Sequence, residues 1–313
     1  MKYTVNREIA RKMAEEKTVI RHISKHRKPD GTFDLEGNLK IWNEAINQFE
    51  LIKLWEEGAP GFDSKKTPLQ PEPSIAFIPS PDSSRARGTI IVAHGGGFES
   101  RTGCEGVNVA DYFVKAGFNA AILTYRLKPY TRFDAIADMQ RAIRLLRSRR
   151  EELNITDKVA VMGFSAGGML SGNCATHYDL GKPEAEDRIE RFSCKPDAAV
   201  IAYGAFSMCA FPGPPILQDK ESPAERFYLS TEQNITPETP PMFVWTTIGD
   251  DARHSFALCS ALQAAGVPYE LHCYTEGAHG LALADGNNDL SANIPQVASW
   301  SGLCASWLNK LGL

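Results

Sequence analysis

Four short stretches of this sequence carry residue types that could do chemistry together. In KVAVMGFSAGGML, residues 158–170, an apolar run ends in Ser165, with Gly163 two places before it and Gly167 two places after. A strand that turns sharply into a helix forces the corner residue into a strained conformation and brings its neighbours so close that a β-carbon would collide. Ser165 would then stand out at the carboxyl edge of a sheet. The amide of Ala166 would lie at a helix N-terminus, where free donors and the helix dipole favour negative charge. That is the setting of an activated nucleophile.

The second stretch, HGGGF at residues 94–98, also closes an apolar strand. Successive glycines leave the backbone free to turn amides into a cavity, as an oxyanion hole requires. Gly96 and Gly97 are the best donors, with the Ala166 amide as the third. A phosphate loop is the competing reading, but neither G-x-x-x-x-G-K-[ST] nor G-x-G-x-x-G fits. His94 reads as a hydrogen-bonding brace for the loop.

A serine nucleophile needs a base, and the base needs an orienting carboxylate. Among seven histidines, His22 and His26 lie near the N-terminus. His177 falls near the end of the serine's helix, His254 opens another helix, and His272 sits within a strand. His279 differs, because TEGAHG places it between glycines in a loop directly after a strand. For the acid, MFVWTTIGDD ends a strand with Asp250 and Asp251 side by side.

The elements that must position these groups alternate along the chain. GTIIVAHG precedes a helix near 105–116, NAAILTYRL a helix over about 134–151, and KVAVMGFS a helix from 166. DAAVIAYG, MFVWTTIG with a helix near 253–265, YELHCYTEG and a closing helix through 299–311 follow. Such alternation predicts a mostly parallel central sheet with helices on both faces. In the 134–151 helix, Ile136, Met139, Ile143 and Leu146 make an apolar stripe. Arg141, Arg144, Arg147 and Arg149 lie largely off it and read as a solvated face.

Residues 1–56 read as an N-terminal helical extension of two amphipathic helices, a lid or an oligomer contact. A Gly/Pro-rich connector follows. The main domain would occupy 57–313, with a lid-like insertion near 205–240 over the ligand crevice.

The composition narrows the function classes. The 313 residues are 43% hydrophobic and 23% charged, with a net charge of −4, which gives no reason to expect nucleic acid or an anionic membrane as partner. The N-terminal MKYTVNREIARKMAEEK is too charged for a secretory segment, and no apolar run is long enough to span a bilayer. Seven dispersed cysteines without a CxxC pair read as reduced thiols, and the expected location is cytoplasmic.

The chain resembles the α/β-hydrolases of the carbohydrate-esterase type, the group of acetylxylan esterases and bifunctional feruloyl/acetylxylan esterases. The resemblance rests on LWEEGAPG, HGGGF, LTYRL, DMQRAIRLLRSR, MGFSAGGML, PPMFVWTTIGDD and LQAAGVPYELHCYTEGAHGL. It covers about residues 54–285. The order serine, aspartate, histidine is the one used on that fold. The resemblance implies an α/β-hydrolase fold with Ser165 as nucleophile, His279 as base and Asp250 as acid, because the T-x-x-D spacing matches Thr247 to Asp250; Asp251 is the fallback. It implies hydrolysis of a short acyl ester, an acetyl group on a sugar or xylo-oligosaccharide, without metal or cofactor. A peptidase or amidase of arylformamidase type, and a ligand-binding relative without catalysis, are the alternatives. Two departures stand out. Ala252-Arg253-His254 replaces a usual Val-Pro turn, and Cys104 occupies a position where relatives often carry histidine before a glutamate, here Glu105.

Overall fold

The computed structural model describes residues 28–313 apart from 31, 33, 83, 85, 205, 210 and 212–220. Eight strands form one sheet: β1 (Leu51–Lys53), β2 (Ser74–Ile78), β3 (Arg87–Ala93), β4 (Asn119–Thr124), β5 (Ile155–Phe164), β6 (Ala198–Ala202), β7 (Met242–Thr247) and β8 (Tyr269–Tyr274). Their order is β1-β2-β4-β3-β5-β6-β7-β8. β2 runs antiparallel to β1 and β4, and every pairing from β4 to β8 is parallel.

Helices cover both faces because both faces are apolar. Along β3, Ile91 and Ala93 join one core cluster while Ile90 and Val92 join the other, the two-residue period expected of a strand buried on both sides. The first cluster receives α3 (Arg132–Ser148), α5 (Ala166–Thr176) and α7 (Arg253–Ala265). The second receives α2 (Val107–Lys115) and α8 (Pro295–Lys310). Two short helices, α4 (Arg150–Leu153) and α6 (Pro223–Leu229), complete the set with α1 (Leu35–Ile46). The mostly parallel sheet with helices on both faces is what the alternation implied, and the architecture is the α/β-hydrolase fold that the resemblance implied.

Three features depart from the sequence reading or extend it. β1 and β2 were not foreseen, since β1 has three residues and β2 is a short apolar stretch between Pro73 and Pro79. Residues 35–53, read as part of an extension, supply α1 and an edge strand to the main body. Trp42 of α1 is 1% exposed and donates from Nε1 to Thr124 Oγ1 at 3.3 Å. The earlier of the two expected helices, with His22 and His26, lies outside the described residues, as do residues 205, 210 and 212–220 of the 205–240 insertion.

The solvated arginine face is a correction. Arg141 and Arg144 are 4% and 3% exposed, because the segment after α5 folds back over α3. Arg141 meets Asp187 and Glu190, Arg144 meets Asp179, and Arg147 meets Asp197. Helical periodicity reports distance from the apolar stripe, and it cannot register a later segment laid over the polar side.

Candidate active site

Because the strands from β4 to β8 are parallel, their carboxyl ends share one edge. There β3 delivers the HGGG loop, β5 delivers Ser165, β7 delivers Asp250 and β8 leads to His279. Ser165 holds φ +53° and ψ −118° at the start of α5, a strained backbone for a residue with a β-carbon. A β-carbon on Gly163 would overlap the Gly167 carbonyl, and one on Gly167 would overlap the carbonyls of Ala93 and His94. The corner is anchored by the Ser165 N–H, which donates to Ala202 O at 2.9 Å. The serine side chain does not cap its own helix. Its Oγ lies 2.7 Å from His279 Nε2 instead.

On the other side of the imidazole, His279 Nδ1 lies 2.6 Å from Asp250 Oδ2. The close approach of the two loops depends on Gly249, where a β-carbon would overlap the Gly277 carbonyl. Asp250 Oδ1 also accepts the Asp251 N–H at 2.8 Å. Asp251 turns outward, where Arg253 grips both its oxygens at 2.7 and 2.6 Å. The departure at Ala252-Arg253-His254 therefore leaves Asp250 facing the histidine. Arg253 occupies Asp251, and buried His254 accepts the Ser207 N–H at 3.2 Å.

The His279 side chain is about half open to solvent at 51%. Burial of its covered half disfavours the cation, but the hydrogen bond and charge of Asp250, with Glu105 and Asp289 behind it, outweigh that and raise its pKa above 6.5. His94 is completely buried, and burial with the nearby Arg101 charge pushes its pKa well below 6.5. Its ring stacks on Tyr125 at 4.5 Å and lies 4.6 Å from the Trp42 ring. Its carbonyl accepts the Tyr125 hydroxyl at 2.8 Å. It braces the loop.

Gly95 sits against the serine corner, since a β-carbon there would come 2.9 Å from Ser165 Cβ. Gly96 has φ +111° and its carbonyl accepts the N–H groups of Glu99 and Ser100, so the loop folds into a tight turn that only glycine enters without strain. Gly97, at φ +63°, continues it. Ala166 opens α5 beside them. The remaining histidines stand elsewhere: His177 stacks on Tyr228, and His272 lies within β8 beside Phe243.

Two further residues belong to the site: Glu105, named from the sequence only as the glutamate after Cys104 and given no role, and Tyr203, which was not singled out. Glu105, 1% exposed, accepts the Gly95 N–H at 2.7 Å and the Tyr203 hydroxyl at 2.7 Å. Tyr203 follows β6 at the same sheet edge, and its ring meets His279 edge-on at 5.1 Å. The only signal for Tyr203 was its place just before the glycine that closes DAAVIAYG. Cys104 is buried, and burial holds its thiol well above the ordinary range.

The profile of the BD-FAE family matches residues 77–244, more than half of the chain. The chain belongs to the BD-FAE family. Endo-1,4-beta-xylanase B of Butyrivibrio fibrisolvens is 28% identical over 251 residues, 74% of this chain and 38% of that protein. Acetylxylan esterase of Xylanibacter ruminicola is 28% identical over 136 residues, 43% of this chain and 25% of that protein. The BD-FAE chain thus spans well under half the length of these curated relatives. Among solved structures, an acetyl ester-xyloside bifunctional hydrolase from Caldicellulosiruptor lactoaceticus superposes with a TM-score of 0.77 at 34% identity, covering 84% of this chain and 96% of that one. Among the described residues, no helix is long and apolar enough to cross a membrane.

Proposed function

We propose that this protein is a serine esterase that removes short acyl groups, acetyl above all, from sugars or xylo-oligosaccharides through an acyl-serine intermediate. The observation that carries the reading is the unbroken hydrogen-bonded line from Ser165 Oγ through His279 to Asp250, with contacts of 2.7 and 2.6 Å. The acetylxylan esterase and acetyl ester-xyloside hydrolase relatives support the substrate class.

In this reading neutral His279 takes the Ser165 proton at Nε2 while Asp250 fixes the tautomer by accepting from Nδ1. The freed oxygen attacks the ester carbonyl, and the charge that develops on the carbonyl oxygen is met by the amides of Gly96, Gly97 and Ala166. Each such preorganised donor contributes about 3–4 kcal/mol to the transition state. The imidazolium returns its proton to the departing alcohol. Water activated by the same imidazole then releases the acid and restores Ser165. His94 takes no proton, because burial keeps it neutral.

The 205–240 insertion is proposed to wall the acyl pocket. Within it the Met208 N–H donates to Ser230 Oγ at 2.8 Å, and the Ser207 N–H ties it to His254 at the start of α7. Seven unpaired thiols favour a reducing, cytoplasmic setting and imported oligosaccharides as substrate.

The test is a side-by-side assay of acetylated xylo-oligosaccharides, feruloyl esters and aryl amides with wild type and Ser165→Ala. Turnover of the acetyl esters that disappears in Ser165→Ala is the expected result. Preferred cleavage of the amides, or a Ser165→Ala protein that keeps most of its activity, would refute the reading.

A further inference from the structure

The buried carboxylate of Glu105 takes no part in the proton transfers above, yet it touches both halves of the machinery. Its Oε2 accepts the Gly95 N–H at 2.7 Å, in the loop that carries Gly96 and Gly97. Its Oε1 accepts the Tyr203 hydroxyl at 2.7 Å. Tyr203 in turn accepts the Ala282 N–H at 2.9 Å, three residues beyond His279, and presses its ring against the imidazole. Tyr203 itself is held with φ +35°, a costly backbone for a bulky residue that the surrounding bonds must maintain.

The donors run in one direction, from Ala282 N–H to the Tyr203 oxygen, from the Tyr203 hydroxyl to Glu105, and from Gly95 N–H to Glu105. An ionised carboxylate satisfies both of its partners. A protonated one would turn its O–H either on the Gly95 N–H, which cannot accept it, or on the Tyr203 oxygen, whose own hydrogen would then lose its acceptor.

We propose that Glu105 is a positioning residue which, when ionised, ties the oxyanion loop to the base loop through Gly95 and Tyr203. The inference rests on the serine-esterase reading of Ser165, His279 and Asp250. Burial, with Asp289 nearby, pushes the Glu105 carboxyl up to about 7, against the opposing pull of Tyr203, His279 and the Gly95 amide. The groups facing it are therefore Tyr203 from the end of β6, His279 from the loop after β8, Asp289 from the following loop, and its neighbour Cys104; the Tyr125 phenol after β4 also senses its charge. The working form has His279 neutral and Glu105 ionised, so acid removes it at two sites.

The experiment measures kcat and KM for p-nitrophenyl acetate from pH 5 to 9, together with fluorophosphonate labelling of Ser165 and thermal melting, in wild type, Glu105→Gln and Tyr203→Phe. In wild type the acid limb of kcat/KM should steepen from a one-proton toward a two-proton slope. Glu105→Gln should lower kcat by about tenfold or more, short of the roughly 100- to 1,000-fold that follows loss of an oxyanion donor, with KM little changed. Its acid limb should become a one-proton limb and move to lower pH, because a negative charge favouring the His279 cation is gone. Tyr203→Phe should also lower kcat but move the limb to higher pH, because Glu105 loses a hydrogen bond to its ionised form. Opposite shifts cannot come from a loosened fold. A Glu105→Gln enzyme with wild-type kcat and an unchanged acid limb would overturn the proposal. If that variant does not fold, an unchanged Tyr203→Phe profile overturns it. Absence of fluorophosphonate labelling in wild type would instead strike the serine-esterase reading beneath it.

Discussion

Asp250 and Asp251 are adjacent in the chain and face opposite ways: the first bonds His279 Nδ1 at 2.6 Å, while the second is clasped by Arg253 at 2.7 and 2.6 Å. An acid that orients the base holds it in the tautomer able to accept from serine, and an amide in its place stabilises the wrong tautomer. Asp250→Asn should therefore lower kcat by about 10³- to 10⁴-fold, whereas Asp251→Asn should leave kcat within a few-fold of wild type. Steady-state kinetics on p-nitrophenyl acetate separate the two. Equal losses would mean that the loop rearranges in solution.

The pH dependence follows from the sign of the His279 shift. Asp250, Glu105 and Asp289 together raise its pKa above 6.5 despite the ring's partial burial. The base acts only when neutral, so activity is full above that raised pKa and falls as pH drops through it. The acidic midpoint of kcat/KM should lie above 6.5. A midpoint below 6 would show that the ring is not held by its acid in the free enzyme.

Two glycines should respond to alanine with opposite signs. At Gly163 the new methyl would overlap the backbone of Gly167, and overpacking of this kind costs roughly 1–3 kcal/mol. At Gly302, on an exposed turn of α8, it would meet only the Tyr112 hydroxyl at 3.8 Å. There the gain in helix propensity should stabilise the fold by about 0.5–1 kcal/mol. Urea midpoints measured on both variants check the pair. A stable, active Gly163→Ala would contradict the tight corner at Ser165.

Trp42 tests the link between α1 and the site. Its ring is buried against His94, the brace of the glycine loop, and against Gly106, where a β-carbon would come 2.7 Å from the ring. Trp42→Ala should cost about 3–5 kcal/mol of stability. In the fraction that remains folded it should also lower kcat, since the brace loses one wall. Thermal melting alongside kinetics below the melting range would reveal whether both effects occur.

What the sequence determined by itself was the local chemistry. A strand ending in G-x-S-x-G, a glycine run closing another strand, and a histidine between glycines each state their conformation within a few residues, because steric limits on φ and ψ act over that range. The parallel sheet was legible for a related reason, since strand and helix periods are local patterns repeated many times. Tertiary structure decided the rest. The two aspartates are chemically alike, and only the positions of Arg253 and of Gly249 against Gly277 determine which one meets the imidazole. Arg141 and Arg144 looked solvated along their helix and are covered by a segment some 40 residues later. Glu105 and Tyr203 are 98 residues apart, with no shared motif, and their bond exists because parallel strands bring their carboxyl ends to one edge. Short-range sterics are written in neighbouring residues, whereas charge pairing depends on distances that only the folded chain sets.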